Sequence, residues 1–507
     1  MKHITWLLLI PALAAQDKPA AQDKPAALKQ LEIASGMLAN QSDPVLGITA
    51  RYHMARVYLG IGDQKHAKEN LQTAFGSLSG AVGAPEARRV FLQFQAQVAA
   101  AAVSIDPDEA VQMIRAMPRP DPGGFDMRTN PASEVIQHYQ NAKQLDKAVQ
   151  AAQQLCSEGV CPSGTLASLI KQLPEDDPRR LEIYYQALQS FRSGGDVFFI
   201  NFFRTIWKVL PPDTAKAGLE IILQSILNQK ADDNGYQQVF SSSAGTAVLN
   251  SRIDADLFKL VPAMRALDPQ RLDDILTQRS GLKGILAKYS DGLDSLEKNN
   301  ESANYSINVG GHGNGTAIVQ AISHSAAAKA MADVDSNPDK ALDSAGGISD
   351  PADRIRVLSA VAQRLGGSDV ARASQLLGRC LEMAKDLPAS SGLVDAMLQM
   401  AKSGKHIKDQ SAVRAALDRA LSAAHDLHKQ DSDSDDPNIA PIEYWPSTVA
   451  YRKTAATAVD LEGADGVAVA GQIADPDMAL LGRITAAEVL AGMTPSGWVT
   501  YEMHPKK

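Results

Sequence analysis

One dipeptide, Asp-Pro or Asn-Pro, occurs ten times along the 507-residue chain. The Asp or Asn side chain accepts hydrogen bonds from the free N–H groups of a first helical turn, and the following proline loses nothing because its nitrogen has no partner there. The ten pairs are Asp43-Pro44, Asp106-Pro107, Asp121-Pro122, Asn130-Pro131, Asp177-Pro178, Asp268-Pro269, Asn337-Pro338, Asp350-Pro351, Asp436-Pro437 and Asp475-Pro476. Most precede an amphipathic stretch, so they predict helix starts, whereas Asp121-Pro122, which two glycines follow, is typical of a turn.

The apolar pattern between these pairs has the period of helices. Within residues 87–103, apolar side chains recur at steps of three and four residues. Strand-like alternation is nearly absent, with Tyr305–Val309 and Trp498–Tyr501 as the two candidates. Aromatic residues make up only 5% of the chain and alanine is frequent, which favours closely packed helices over a β-sandwich. We therefore predict an all-α fold.

The sequence also repeats itself. Residues 106–120 (DPDEAVQMIRAMPRP) align with 337–351 (NPDKALDSAGGISDP), and the latter resemble 462–476 (EGADGVAVAGQIADP). Each copy holds a short helical stretch, and two of them end on an Asp-Pro pair. At roughly 35–40 residues per helical pair, this pattern predicts an α-solenoid of stacked antiparallel helical hairpins.

Residues 43–76 resemble a tetratricopeptide repeat. Small and large side chains stand at the positions that this repeat uses: Ala55 and Tyr58 on the first helix, Gly62 in the turn, and Ala67, Leu71 and Ala74 on the second helix. The early tryptophan and the closing proline of the family are missing. Weaker copies cover 133–155 and 358–377. The resemblance implies a helical repeat whose groove binds a peptide or protein partner.

The first residues are typical of a secretory signal peptide. Lys2 and His3 precede the apolar run Ile4–Ile10, and Ala12-Leu13-Ala14 has the small-large-small pattern of a cleavage site. We expect export to the periplasm or the extracellular space. No later stretch reaches the ~20 apolar residues of a membrane span. The nearest, 197–210, is predicted to be a helix buried on two faces, with an exposed aromatic patch as the alternative.

Changes in composition predict eight segments. They are a signal peptide at 1–14, a flexible linker at 15–27, an N-terminal helical repeat domain at 28–298, a Gly/Asn-rich linker at 299–316, a second helical repeat segment at 317–429, an acidic loop at 430–446, a C-terminal helical pair at 447–494 and a tail at 495–507. The linker at 15–27 contains an exact hexapeptide duplication without an apolar face.

Three cysteines are too few for a disulfide scaffold. Cys156 and Cys161 flank a plausible turn, and the sequence leaves open whether they form a bond. Cys380 lies in a helical stretch and is predicted to be a buried small hydrophobe rather than a reactive thiol.

The acidic run 431–436 carries carboxylates at alternate positions, as calcium loops do. Asp431, Asp433 and Asp435 are therefore the candidate metal ligands, with a solvated acidic loop as the alternative. Glu443 comes one residue too late for an EF-hand loop. His425 and His428 are three apart on a predicted helix, and two histidines make an incomplete zinc site.

No motif for catalysis stands out. The glycine-rich stretch 309–315 lacks the Gly-Lys-Ser/Thr of a phosphate loop, and Ser241-Ser242-Ser243 lies in a predicted polar loop. We name no catalytic residue and expect no cofactor other than calcium. The net charge of −8 argues against nucleic-acid binding.

We expect a non-enzymatic scaffold that binds a protein or peptide. One alternative is an enzyme or accessory domain that acts on envelope polymers through clustered carboxylates, which predicts acidic side chains with raised pKa values in a cleft. The other alternative is a calcium-dependent surface protein.

Overall fold

The computed structural model describes residues 23–41, 43–81, 85–119, 126–192, 199–229, 236–242, 244–297, 304–308, 326–432 and 445–495. The predicted signal peptide, most of the 15–27 linker, the glycine-rich stretch 309–315 and the strand candidate Trp498–Tyr501 lie outside these residues.

Helices make up most of the described chain. The first fourteen are α1 (Lys24–Leu38), α2 (Pro44–Ile61), α3 (Gln64–Ala81), α4 (Pro85–Ala102), α5 (Pro107–Ala116), α6 (Thr129–Asn141), α7 (Leu145–Ser157), α8 (Ser163–Gln172), α9 (Arg179–Arg192), α10 (Phe199–Ile206), α11 (Pro212–Leu227), α12 (Arg252–Leu267), α13 (Pro269–Gln278) and α14 (Ser280–Lys288). The others are α15 (Ala326–Asp333), α16 (Pro338–Ala345), α17 (Pro351–Leu365), α18 (Val370–Ala384), α19 (Ser391–His406), α20 (Gln410–Ser432), α21 (Pro446–Glu462), α22 (Val467–Gly471) and α23 (Pro476–Leu490). The strands are β1 (Gln237–Ser242), β2 (Gly245–Leu249) and β3 (Asn304–Asn308). The all-α prediction is confirmed for the bulk of the molecule.

The Asp-Pro and Asn-Pro pairs begin helices as predicted. Six of them place the side-chain oxygen on a free backbone N–H of the first turn, namely those at Asp43, Asp106, Asp268, Asn337, Asp350 and Asp475. Asp177 accepts a hydrogen bond from the Arg179 backbone N–H at 2.9 Å, just before α9. Asn130 instead lies inside the first turn of α6. The pairs at 121 and 436 are outside the described residues.

The chain divides into two compact units, 1–81 with 320–507 and 82–319. In the described residues, unit 1 holds α1–α3 and α15–α23, and unit 2 holds α4–α14 and the strands. This division differs from the predicted one, which placed the first helices in a domain at 28–298. The physical reason is that α23 is covered by α1 and α2, a contact between distant parts of the chain that composition does not reveal.

In unit 1, each helix packs against its chain neighbour and many pack against the next but one, as α18 packs against α17 and α20. Alanine fills these contacts and lets the helix axes approach closely. Fully buried examples are Ala341, Ala362, Ala373, Ala384, Ala396, Ala416, Ala420 and Ala424. The order of contacts runs from α15 to α23 and continues from α23 to α1, α2 and α3. Thus the two chain ends meet inside one continuous series of packed helices.

The stretch that resembles a tetratricopeptide repeat forms the pair α2 and α3. Ala55, Ala67 and Ala74 are completely buried, and Tyr58 and Leu71 are buried with them. Gly62 follows α2 with φ of 89°, a left-handed conformation that glycine adopts without the steric cost of a side chain. The predicted helix–turn–helix unit is confirmed at these positions.

The weaker copy at 133–155 is the pair α6 and α7. Tyr139, Ala148 and Leu155 are buried as the repeat pattern predicts. The copy lacks a turn glycine, and Lys143 takes the left-handed position instead with φ of 58°.

Unit 2 also contains a small antiparallel sheet with the strand order β2-β1-β3. Phe240 stands opposite Ala247 on β2 and Tyr305 on β3, and α12 packs against β1 and β2. The strand expected at Tyr305–Val309 is confirmed within one residue, but the polar loop expected at Ser241–Ser243 is wrong, because Ser241 and Ser242 end β1. The hairpin escaped prediction because one inward position of β1 is Gln238, a polar residue that is buried with its amide oxygen accepting from the Tyr236 hydroxyl.

The aromatic stretch of unit 2 is buried. Phe199, Phe202, Phe203 and Ile206 on α10 are at most 1% exposed and pack near Tyr184 of α9. The prediction of a buried helix is confirmed for the described part of 197–210. Among the helices of the described ranges, none is both long and apolar enough to cross a membrane.

Candidate functional site

Several helices of unit 1 meet around one carboxyl group, that of Glu488. Glu488 lies on α23, which packs against α1, α2, α21 and α22. The α23 sequence (PDMALLGRITAAEVL) is apolar on nearly every side, and twelve of its fifteen residues are buried. Because the helix is surrounded, the Glu488 side chain is completely buried. A buried carboxylate is costly unless charged or hydrogen-bonding groups surround it.

Cationic and polar side chains from two other helices surround Glu488. We call His53, Arg56, Arg452, Thr485 and Glu488 the junction cluster. His53 Nδ1 lies 3.1 Å and Arg56 Nη1 3.6 Å from Glu488 Oε1. From α21, Arg452 Nη2 lies 3.7 Å from Glu488 Oε2, and Arg452 Nε donates to Thr485 Oγ1 at 3.0 Å. The cluster therefore connects α2, α21 and α23.

The electrostatics of the junction cluster favour an ionised carboxylate. Burial alone raises the pKa of Glu488, but the hydrogen bond with His53 and the charges of His53, Arg452 and Arg56 lower it by more. The net result is a pKa below the usual 4.5. A general acid working near neutral pH needs the opposite shift. The arrangement is thus suited to holding helices together by charge.

Neutral contacts extend this junction along α1 and α2. The Asp23 backbone N–H donates to the Leu490 carbonyl at 2.8 Å, and Arg483 Nη1 donates to Gln30 Oε1 at 2.9 Å. Gln41 Nε2 donates to Asp477 Oδ1 at 2.6 Å. Polar contacts therefore run along the whole length of α23, from its first turn to its end.

A second set of contacts links successive repeats at a constant sequence step. Arg179 donates to Asp146 at 2.7 Å in unit 2, and Arg372 donates to Asp339 at 2.8 Å in unit 1. Both pairs are 33 residues apart, and both aspartates are the second residue of a helix. Equivalent geometry thus recurs in the two units.

Uncharged side chains connect α6 to α8 in the same regular way. Gln137 Nε2 donates to Thr165 Oγ1 at 3.3 Å, and Gln140 Nε2 lies 3.5 Å from Ser168 Oγ. Both contacts span 28 residues. The neighbouring contact from α7 to α9 reaches a charged group, because Gln153 Nε2 donates to Glu182 Oε2 at 2.7 Å. We call Gln137, Gln140, Thr165 and Ser168 the amide–hydroxyl row.

The candidate calcium ligands are not brought together in the described residues. Asp431 is only 6% exposed, and its Oδ2 accepts a hydrogen bond from the Ser447 backbone N–H at 2.9 Å, in the first turn of α21. The acidic loop was expected from 430, but α20 continues to Ser432 and α21 already begins at Pro446. Asp433 and Asp435 lie outside the described residues.

His425 and His428 have separate partners rather than a common one. His428 Nε2 lies 3.3 Å from Asp475 Oδ2, and His425 Nδ1 lies 3.4 Å from the Tyr451 hydroxyl. Burial, with the nearby Asp475 and Asp426 charges, raises the pKa of Tyr451 to about 12. Across the described ranges, no group of three or more His, Cys, Asp or Glu side chains is arranged to hold a metal ion.

The cysteines divide into one disulfide and one buried thiol. Cys156 and Cys161 are bonded to each other, which settles the alternative that the sequence left open. Cys380 is fully buried on α18, and burial raises the pKa of its thiol to about 11. The prediction of an unreactive small hydrophobe is confirmed, because the nucleophilic thiolate is disfavoured.

Sequence reasoning missed the junction cluster. The available signal was Glu488 itself, the one carboxylate in the last three turns of an otherwise apolar helix. Its partners His53 and Arg56 stand more than 430 residues earlier, so spacing along the chain could not connect them.

Comparison with known proteins adds little. No protein-family model matches the chain, and no curated protein matches it. Among solved structures it matches a chain described as a circular tandem repeat protein with novel repeat topology and enhanced subunit contact surfaces. The two are 12% identical, with 93% of this chain and 97% of that chain covered and a TM-score of 0.19. A TM-score this low carries no argument about function or about the detailed fold.

Proposed function

We propose that this protein is an exported, non-enzymatic α-solenoid whose helical hairpins stack in the manner of tetratricopeptide repeats and bind a protein or peptide partner. Stacked repeats create long surfaces on which equivalent side chains recur in register. The step from such a surface to binding is an inference from architecture, so it needs a specific surface and a specific test.

The observation that carries the proposal is the pair of equivalent contacts Arg179–Asp146 and Arg372–Asp339. The aspartate side chains are 90% and 69% exposed, so these ion pairs add little stability. Their value is as a marker of geometry. The same 33-residue step in both units supports a common repeat spacing.

The amide–hydroxyl row is the surface that we assign to the partner. Amide and hydroxyl groups both donate and accept hydrogen bonds, as the backbone of an extended peptide does. The contacts within the row are long, at 3.3 and 3.5 Å, so the groups can exchange them for a ligand at small cost. The charged α7–α9 contacts offer no such neutral pairing.

Two observations favour this proposal over the alternatives. The carboxylates of Asp63, Asp177, Asp268 and Glu488 have pKa values that lie below the usual range, whereas the enzyme alternative predicts raised values. The calcium alternative needs Asp431, whose carboxylate is buried and occupied in the first turn of α21.

Peptide selection tests the proposed surface. A displayed library of random peptides is selected on the full chain, and one enriched peptide is titrated against variants. We expect Gln137→Ala with Gln140→Ala to weaken binding about tenfold, since each lost hydrogen bond contributes about 1 kcal/mol. Gln153→Ala on the neighbouring pair of helices is the control and should leave binding unchanged. Equal affinities for all three proteins, or no enriched peptide, would reject the assignment.

Export is tested separately. Intact mass measurement of the protein recovered from the periplasm or medium is expected to show a chain that begins near residue 15, because the Ala12-Leu13-Ala14 pattern predicts cleavage there. An uncleaved chain retained in the cytosol would contradict this part of the proposal.

A further inference from the structure

The strongest feature that the proposed function does not use is the way α1–α3 join the rest of unit 1. Within the described residues, α1 and α2 pack on α23, and α3 packs on α2. In sequence, all of unit 2 separates α3 from α15. The attachment of α1–α3 to α23 therefore depends on side-chain and backbone contacts between the two ends of the chain.

The charged contacts at this junction converge on one atom group. The carboxylate of Glu488 receives His53 Nδ1 at 3.1 Å and Arg56 Nη1 at 3.6 Å, both from α2. The remaining polar contacts pair a neutral partner with the α23 side, as Gln30 does with Arg483 and Gln41 with Asp477. Loss of the Glu488 charge therefore removes the ionic part of the contact between α2 and α23.

Every element that packs on α23 has been considered for charges that face Glu488. His53 and Arg56 come from α2 and Arg452 comes from α21. The α22 sequence (VAVAG) has no ionisable side chain. The ionisable side chains of α1 are Lys24, Lys29 and Glu32, and all three are exposed. The charges that face the buried carboxylate are thus all on basic side chains.

Protonation changes this balance sharply. A neutral Glu488 leaves buried basic groups without the negative charge that compensates them, and Arg452 is only 1% exposed. Uncompensated buried charge is strongly unfavourable, and separating the helices relieves it by admitting water. Helices α15–α21 have their own alanine-rich core, to which the junction cluster contributes nothing below α21. Partial opening at one junction is the kind of sub-global transition that proteins with such separate cores undergo.

We propose that Glu488 is a proton-sensitive latch that holds α1–α3 on α23 when ionised and releases them in acid while α17–α19 stay folded. The release exposes the faces of α21 and α23 that α1 and α2 cover. The inference is independent of peptide binding in unit 2, so either can fail alone.

Hydrogen exchange of the full chain tests the latch. Exchange is followed by mass spectrometry from about pH 7 to about pH 3.5, with rates corrected for the intrinsic effect of pH. We expect α1 and α2 to lose protection by about tenfold or more below pH 4.5, before α17–α19 change. In Glu488→Gln the same helices should be unprotected already near neutral pH. Glu462→Gln is the matched control, because Glu462 accepts a hydrogen bond from Gln410 at an exposed position of unit 1.

Each outcome decides the proposal. Simultaneous loss of protection in α1–α2 and α17–α19, or full protection of α1–α2 in Glu488→Gln, would overturn it. If Glu488→Gln does not fold, Arg56→Gln replaces it, since the Arg56 side chain is partly exposed. Removal of that positive charge should move the opening midpoint to higher pH by roughly one unit. A midpoint that stays in place would also overturn the latch.

Discussion

The ring of His53 contacts the carboxylate of Glu488 across 435 residues of sequence, with Nδ1 and Oε1 at 3.1 Å. This contact joins the second helix of the described chain to the last one. It explains why α1–α3 belong to the same compact unit as the C-terminal helices. The packing series in unit 1 therefore includes both ends of the polypeptide.

Removal of the Glu488 carboxylate is predicted to destabilise unit 1. Glu488→Ala leaves Arg452 and His53 buried beside a cavity, so we expect the free energy of unfolding to fall by about 3–5 kcal/mol. Urea unfolding followed by circular dichroism measures this change. Glu462→Ala, at an exposed end of α21, should cost no more than about 0.5 kcal/mol. Similar losses in the two variants would contradict a special role of the junction cluster.

The stability of the protein is predicted to fall in acid. The folded-state pKa of Glu488 lies below the usual 4.5, so its contribution is fully present above pH 4.5 and is lost as the pH falls through the folded value. Asp63, Asp177 and Asp268 shift in the same direction from 3.8. Melting temperatures measured from pH 7 downward should decline below pH 4.5, and less steeply in Glu488→Gln. A variant that follows the wild-type curve would show that another group controls the decline.

The Asp-Pro helix starts are predicted to stabilise through the aspartate side chain. Asp350 accepts a hydrogen bond from the Asp353 backbone N–H at 2.7 Å at the start of α17. Asp350→Ala should lower the free energy of unfolding by about 1 kcal/mol, whereas Asp350→Asn keeps the acceptor and should change it little. Thermal unfolding of the two variants separates capping from other effects. Equal destabilisation by alanine and asparagine would refute it.

Two glycines are predicted to respond in opposite directions to alanine. Gly62 has φ of 89° after α2, so Gly62→Ala should destabilise by about 1–2 kcal/mol. Gly36 lies on the exposed side of α1, with no atom within 4 Å of an added Cβ. Gly36→Ala should therefore stabilise by about 0.5–1 kcal/mol. Chemical denaturation of both variants checks the pair, and a shared sign would be inconsistent with the assigned turn.

Local chemistry made much of the fold predictable. Asp43, Asp350 and Asp475 each cap a helix because capping depends only on neighbouring residues. The buried positions of α2 and α3 followed from the spacing of Ala55, Tyr58 and Leu71, which is likewise a local property.

The features that escaped prediction depend on distant contacts. The β1–β2 hairpin places a polar residue, Gln238, on its buried face, so the alternation that signals a strand was broken. Asp431 was assigned to a calcium loop because its contact with Ser447 lies across a segment whose path the sequence does not specify. The partners of Glu488 come from the opposite end of the chain, and only folding brings them together.

A double-mutant cycle between His53 and Glu488 tests the junction of the chain ends most directly. The free energy of unfolding is measured for the wild type, His53→Ala, Glu488→Ala and the double variant. If the two side chains interact as the structure places them, the cycle should give a coupling energy of about 1–3 kcal/mol. Effects that add within about 0.3–0.5 kcal/mol would contradict the contact, and with it the assignment of α1–α3 to the C-terminal helices.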